Sequence, residues 1–199
     1  MEYAALHTSV CLPRVHRTYQ RRNGLFIAMD FVQGTHLDTL WPRLDDAEKR
    51  DIVAQIWDSV RQLHACRPPA SLKDVAAASI SGGPVRDGAF GLGDDGPPST
   101  GPFAGPEDFL QLLSEIPAAD GFDRNPAHTG FVHADLALRN IIRTDDGRIC
   151  IIDWEFAGWW PLYWERIKWH FADFPPTPDF VNLMDELSGQ TRAATSEAS

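Results

Sequence analysis

The sequence predicts an α+β fold: a small antiparallel sheet, then a mostly helical body with a second hairpin inside it. Three observations carry this reading. Apolar runs of strand character flank Asn23-Gly24 and again Asp146-Gly147, two dipeptides suited to two-residue primed turns. Between them Ile52, Val53, Ile56, Trp57, Val60 and Leu63 recur at helical intervals. At 199 residues, 43% of them hydrophobic, the chain has the length of about one domain and the means to build a core.

In chain order, the first hairpin joins Val15–Gln20 to Leu25–Val32 across Asn23-Gly24, and Gln33-Gly34 breaks its second strand. Asp45 opens the long helix with Glu48 at capping-box spacing, and Pro68-Pro69 stops it. The stretch from Ser81 to Pro106, rich in Gly and Pro, reads as an irregular excursion of the same body. Within it Gly91-Leu-Gly93-Asp-Asp-Gly96 matches a phosphate-loop pattern literally. It lies far from any strand-to-helix context and puts two carboxylates where phosphates would approach, so it reads as loop. Pro106 then starts a helix running to Ile116, with acids complementing its dipole. After Asp153 come Phe156, Trp159, Trp160, Tyr163, Trp164, Ile167 and Phe171, partly at helical spacing behind Pro161. Core packing explains them most simply; the alternative is that some, with Glu155, line a pocket for a cationic or hydroxylated molecule.

The chemistry concentrates at Phe131–Asn140 and Ile151–Glu155, which set an acid, an amide and a second acid around the second hairpin. Numbering outward from Asp146-Gly147 pairs Ile142 with Ile151 and Ile141 with Ile152. The next step sets Asn140 opposite Asp153, with Cβ atoms roughly 5 Å apart. Two oxygen ligands at that separation can grip one Mg²⁺. A longer loop or a bulge would shift the pairing by one residue and turn one partner to the other face. Asp135 can return to the same end of the hairpin, where its carboxylate could orient an acceptor hydroxyl and receive its proton. His133 reads as architectural, bonding neighbouring backbone. The plainer alternative is a polar loop joining two core strands; the spacing combined with the hairpin symmetry argues against it.

His133, Asp135 and Asn140 at this spacing, with Asp153 downstream, resemble the catalytic and metal-binding loops of the protein-kinase superfamily. Trp154-Glu155 in place of the usual Phe-Gly, and Ala137-Leu-Arg139 inside the loop, point to the aminoglycoside phosphotransferase-like small-molecule kinases. In that family a Gly more often occupies the position of Ala134. The resemblance runs from about Glu2 to about Phe174. It implies a protein-kinase-like fold with a truncated small-lobe sheet and hinge in residues 1–33 and a mostly helical catalytic lobe in 34–189; the small, polar tail 190–199 reads from its composition as disordered. It also implies ATP-dependent transfer to a hydroxyl of a small molecule, cationic acceptors among the options, with Asp135 as base and His133 beside it. Asn140 and Asp153 would hold Mg²⁺. By position Met29 would flank the adenine, with the Asp30 carbonyl and Val32 amide as its contacts, because an extended, unpaired hinge leaves one donor and one acceptor free. The alternative for this stretch is an ordinary buried strand running into a loop.

Family members carry a Gly-rich strand-turn-strand and a phosphate-binding lysine that this sequence lacks. Lys49, Lys73 and Lys168 all follow the expected hinge. Glu2–Leu6 resembles the end of the helix whose glutamate pairs with that lysine. Three readings follow: an active enzyme, a non-catalytic remnant, or a chain whose Met1 is an internal methionine of a longer protein. The last is favoured slightly, since the first hairpin would otherwise expose a sheet edge and an apolar face. The formal net charge of −10 argues against nucleic acid or an anionic membrane as partner, and phosphates would need Mg²⁺ to approach. Cys11, Cys66 and Cys150 show neither C-x-x-C spacing nor an even count, which favours a reducing compartment. With no charged-then-apolar leader and no apolar run of bilayer length, a soluble cytoplasmic protein is expected.

Overall fold

The computed structural model describes residues 1–22, 24–90, 99–114, 128–171 and 176–189. Helix α1 (Glu2–His7) is followed by a hairpin of β1 (Val15–Arg21) and β2 (Gly24–Met29), paired from Arg21↔Gly24 to Val15↔Met29 with an irregularity between Val15 and Arg17. Gly24 of the expected turn opens β2, and Asn23 lies outside the described residues. Leu25, Phe26 and Ile27 are 59%, 46% and 43% exposed. Because successive strand residues face opposite ways, both faces of this ribbon are open.

Strand β2 ends at Met29, earlier than its apolar run suggests, and Gly34 begins a new strand, β3 (Gly34–His36), instead of breaking the old one. The reason is steric. Gly34 has φ +151, and a Cβ there would collide with the carbonyl oxygen of Arg143 on the paired strand β8 (Ile141–Thr144). Short helix α2 (Leu37–Leu40) leads to α3 (Asp46–Ala65), whose capping box forms: Glu48 N–H donates to Asp45 Oδ1 at 2.8 Å and Asp45 N–H to Glu48 Oε2 at 3.1 Å. Of its apolar stripe Ile52, Val53, Ile56, Val60 and Leu63 are buried, while Trp57 is half-buried with its ring edge-on to Trp169.

Among the described residues the strands form four small antiparallel sheets. One, in the order β3-β8-β9 with β9 at Ile149–Ile151, carries the second hairpin. Its register differs by one residue from the expected pairing: Ile141 faces Ile151, Ile142 faces Cys150 and Arg143 faces Ile149. The loop has three residues, Asp145-Asp146-Gly147, because Thr144 N–H bonds the Arg148 carbonyl at 2.9 Å and Gly147 N–H turns back to Thr144 at 2.8 Å. The Thr144 hydroxyl meets Asp146, and Gly147 takes φ +83, the left-handed residue that a three-residue hairpin needs. Asn140 therefore stands opposite Ile152, whose N–H donates to the Asn140 carbonyl at 2.9 Å, and not opposite Asp153.

A second sheet, β4-β10-β7, joins Ala78–Ser79, Gly158–Pro161 and Thr129–Val132. It separates two apolar clusters. Phe131 and Trp159 enter the one beneath α3, and their neighbours Val132 and Trp160 enter the other, with Phe109, Trp164 and Ile167. The period-two geometry of strands thus distributes the aromatic run between two cores. Trp159, Trp160 and Trp164 are core residues, whereas Phe171 is exposed.

The stretch expected to be irregular contains a short ladder of β5 (Val85–Arg86) and β6 (Ser99–Thr100). The Gly91–Gly96 pattern lies outside the described residues, as do residues 115–116 of the expected helix and the tail 190–199. Helix α4 spans Pro106–Leu113, α5 Tyr163–Phe171 and α6 Pro178–Ser188. No helix among the described residues is long and apolar enough to cross a membrane.

Candidate active site

The loop between β7 and β8 is built from the core outward. His133 is fully buried; its Nε2–H donates to the Ile152 carbonyl at 3.0 Å, and its Nδ1 accepts from Asp135 N–H at 3.2 Å. Burial holds this imidazole down to about 4, so it is neutral with one tautomer fixed by its two partners. Trp154, next to Asp153, anchors its indole on the Ile151 carbonyl and packs edge-on against the His133 ring, 4.7 Å between centroids. His133 thereby ties the loop to the strand end that carries Asp153.

Ala134 has φ +64, a left-handed conformation that favours glycine. Its methyl group is buried in the second cluster. Removing it would relieve about 1–2 kcal/mol of strain against roughly 0.8 kcal/mol of lost burial and a similar unfolded-state entropy term. Ala134→Gly should therefore be near neutral, while Ala134→Val, β-branched at positive φ, should lose about 3 kcal/mol. Thermal melts of the two variants check this; equal losses would show that conformation does not govern the position.

Beneath this turn lies Glu165 of α5, fully buried, accepting from His133 N–H at 2.7 Å and Ala134 N–H at 3.1 Å. Burial pushes its carboxyl up to about 7, with the two N–H donors holding it back. The sequence motifs do not single it out, although one acid between Trp164 and Ile167 in an aromatic helix is a signal for a buried carboxylate.

Asp135 and Asn140 are both buried and meet directly. The Asn140 amide donates to the Asp135 carbonyl at 3.0 Å and to its Oδ2 at 2.6 Å. Arg139 donates to both carboxylate oxygens, at 3.0 and 2.8 Å, a partner that sequence reasoning used only as a family marker. His36, at the end of β3, adds a bond from Nδ1 to the Arg139 carbonyl at 2.8 Å. The carboxylate is thus oriented by three donated bonds and stays accessible at its edge.

Asp153 follows Ile152, which bonds both Asn140 and His133, so its backbone is fixed beside the loop. It has φ +60, a left-handed conformation just beyond the end of β9, and it is exposed. Along the expected hinge, Met29 ends β2 and residues 30–33 have no regular structure. The Asp30 side chain is occupied by His16 at 2.6 Å and by the Arg14 amide at 3.2 Å. Its N–H bonds the Arg14 carbonyl, whereas neither the Asp30 carbonyl nor the Val32 amide has a partner among the described residues.

Two lysines are committed elsewhere: Lys49 to Asp179 at 2.7 Å and Lys168 to the buried Asp87 at 2.5 Å. His64 is half-buried with its Nε2 enclosed, and desolvation holds it down to about 4. Between pH 4.5 and 6.5 the unfolded chain protonates His64 and His133 while the folded chain keeps them neutral; folded Glu165 alone holds a proton that the unfolded chain has released. The unfolded state so binds about one proton more, and stability should rise with pH by roughly 1.4 kcal/mol per unit across this window. A thermal-unfolding series over that range tests it; a flat profile would contradict these environments.

Fold and site together define a protein-kinase-like α+β scaffold. Residues 2–179 match the model of the phosphotransferase enzyme family, and the chain belongs to that family. It is similar to solved structures of aminoglycoside phosphotransferases. A thermostable mutant of APH(4)-Ia in its apo form has TM-score 0.58 and 17% identity, covering 94% of this chain and 65% of that one. The same enzyme in a ternary complex with ADP and hygromycin B gives 0.55 and 18%, covering 94% and 64%. The streptomycin-ATP-APH(2")-IIa ternary complex gives 0.53 and 16%, covering 89% and 59%. At these identities the likeness carries the fold alone, and this chain spans 59–65% of their lengths. A search of curated proteins gave no match.

Proposed function

We propose that this protein binds ATP with Mg²⁺ and transfers the terminal phosphoryl group to a hydroxyl of a small molecule. The observation that carries the reading is the Asp135–Asn140 pair: a buried amide orienting a buried carboxylate inside a loop clamped by Glu165. Asp135 would accept the proton of the attacking hydroxyl, and His133 and Arg139 would fix its position. Residues 1–33 would correspond to part of a small lobe with its hinge, and 34–189 to the catalytic lobe. The unpartnered Asp30 carbonyl and Val32 amide, beside Met29, suit the adenine edge.

The residues fit a magnesium site. Asn140 commits its Nδ2 to Asp135, leaving the amide oxygen for a cation, and Asp153 adds a carboxylate. Among the described residues no three His, Cys, Asp or Glu side chains cluster as a metal cage. Two hard oxygen ligands completed by phosphates and water are what Mg²⁺ takes beside a nucleotide. Bound there, the ion would neutralise phosphate charge, which matters in a chain of formal net charge −10.

That charge also favours a cationic, hydroxylated acceptor, and relatives by fold are complexed with hygromycin B, gentamicin and streptomycin. A cytoplasmic site of action follows from the use of ATP. Neither the family match nor the structural neighbours support a non-catalytic remnant. Calorimetric titration with ATP should reveal Mg²⁺-dependent binding that Asp153→Ala weakens by about two orders of magnitude, as loss of a liganding carboxylate would. Binding indifferent to Mg²⁺ and to this substitution would sink the reading.

A further inference from the structure

We propose that Cys11 and Cys150 form a dithiol site that low-molecular-weight disulfides oxidise to an internal disulfide. This inference is independent of the phosphotransferase reading. The sequence gives no hint of it, since the two thiols are far apart in the chain and the cysteine count is odd.

Folding brings them side by side. The segment after α1 lies parallel to β9, with Cys11 bridged to Cys150 and Ile151 N–H donating to the Cys11 carbonyl at 2.9 Å. Paired residues of parallel neighbours project to the same face from strands about 4.8 Å apart, inside the roughly 4.4–6.8 Å Cα separation that a disulfide spans. At such a spacing side-chain rotation can close the bridge.

Exposure sets the order of events. Cys11 is half-buried on the wall of an open cavity of about 440 Å³, beside Gln55, Gln62 and Arg148, whereas Cys150 is buried. Burial, with the neighbouring Cys11, holds the Cys150 thiol well above the usual range, so it acts second. The Cys11 thiolate attacks one sulfur of a glutathione disulfide, breaking its S–S bond and releasing one glutathione thiol. Cys150 then displaces the second glutathione from Cys11. Both cysteines lose their protons to the departing thiolates, and the two electrons they lose reduce the small disulfide. The product ties the segment after α1 to the strand that leads, three residues later, to Asp153.

The test uses the whole folded chain, reduced, freed of reductant, and incubated with millimolar oxidised glutathione. After acid quenching and alkylation under denaturing conditions, the chain is digested and its peptides are weighed. The expected result is a linked peptide pair holding Cys11 and Cys150, two hydrogens lighter than its parts, with Cys66 alkylated. The unfolding midpoint should rise by about 4–16 °C, as for an ordinary unstrained disulfide in a chain of this size. Cys11→Ser should yield neither the linked pair nor the rise. Glutathione left on Cys11 without a link, a link to Cys66, or free Cys11 and Cys150 at the highest oxidant would each overturn the proposal.

Discussion

Asp135→Ala is expected to lower turnover by about three orders of magnitude and to change nucleotide affinity less than about threefold. The asymmetry follows from where the carboxylate sits. It meets Arg139 and Asn140, two residues of its own loop, and among the described residues it makes no hydrogen bond to the residue 29–32 stretch proposed to hold the adenine. Its removal deletes the proton acceptor and frees the Asn140 amide to reorient, which disturbs positioning more than binding. Asp135→Asn separates the two contributions. It keeps the shape but sets an amide against donors on Arg139 and Asn140, so it should be nearly as inactive while unfolding at a similar temperature. ADP release with a hydroxylated acceptor gives the rate, and calorimetry gives the affinity. Turnover equal to that of the unmodified chain in either variant would remove Asp135 from its assigned role.

The sequence made the elements that depend on local pattern legible. The α3 stripe and its cap follow from 3.6-residue periodicity and the Asp45–Glu48 spacing, and they form as expected. Register was less legible because it depends on one loop residue. Asp145-Asp146-Gly147 closes as a three-residue loop once the Thr144 hydroxyl and the Arg148 carbonyl engage, which moves Asn140 from Asp153 to Ile152. Gly34 misled for a related reason: it reads as a breaker alone, but its role is close approach to Arg143 on a strand more than a hundred positions away. Long-range partners escaped altogether. Nothing near His133 names Glu165 as the acceptor for its backbone, and nothing near Cys150 names Cys11. Such contacts are written in the packing of α5 and of the segment after α1, which no window of sequence contains.

Glu165→Gln is the second large effect, and it is readable on two axes. The carboxylate accepts two buried backbone N–H bonds; the amide can accept with its oxygen but must turn its NH₂ toward the other donor. One buried donor left unsatisfied is worth about 1–3 kcal/mol, and no solvent reaches the site to compensate. The turn from His133 to Asp135 then loses one of its two anchors, so kcat should fall by about one to two orders of magnitude with nucleotide affinity little changed. A merely structural loss would lower stability at every pH alike. Glu165 instead titrates near 7 when folded and near 4.5 when unfolded, so between pH 4.5 and 6.5 it offsets one of the two protons that His64 and His133 take up on unfolding. Glutamine cannot titrate. The excess of protons bound by the unfolded state should rise from about one to about two, doubling the slope of stability against pH to roughly 2.7 kcal/mol per unit. Denaturant titrations of both proteins at several pH values measure that slope. A variant that keeps the parent's slope would mean that Glu165 stays ionised beneath the loop throughout this range, and that its two N–H donors outweigh its burial.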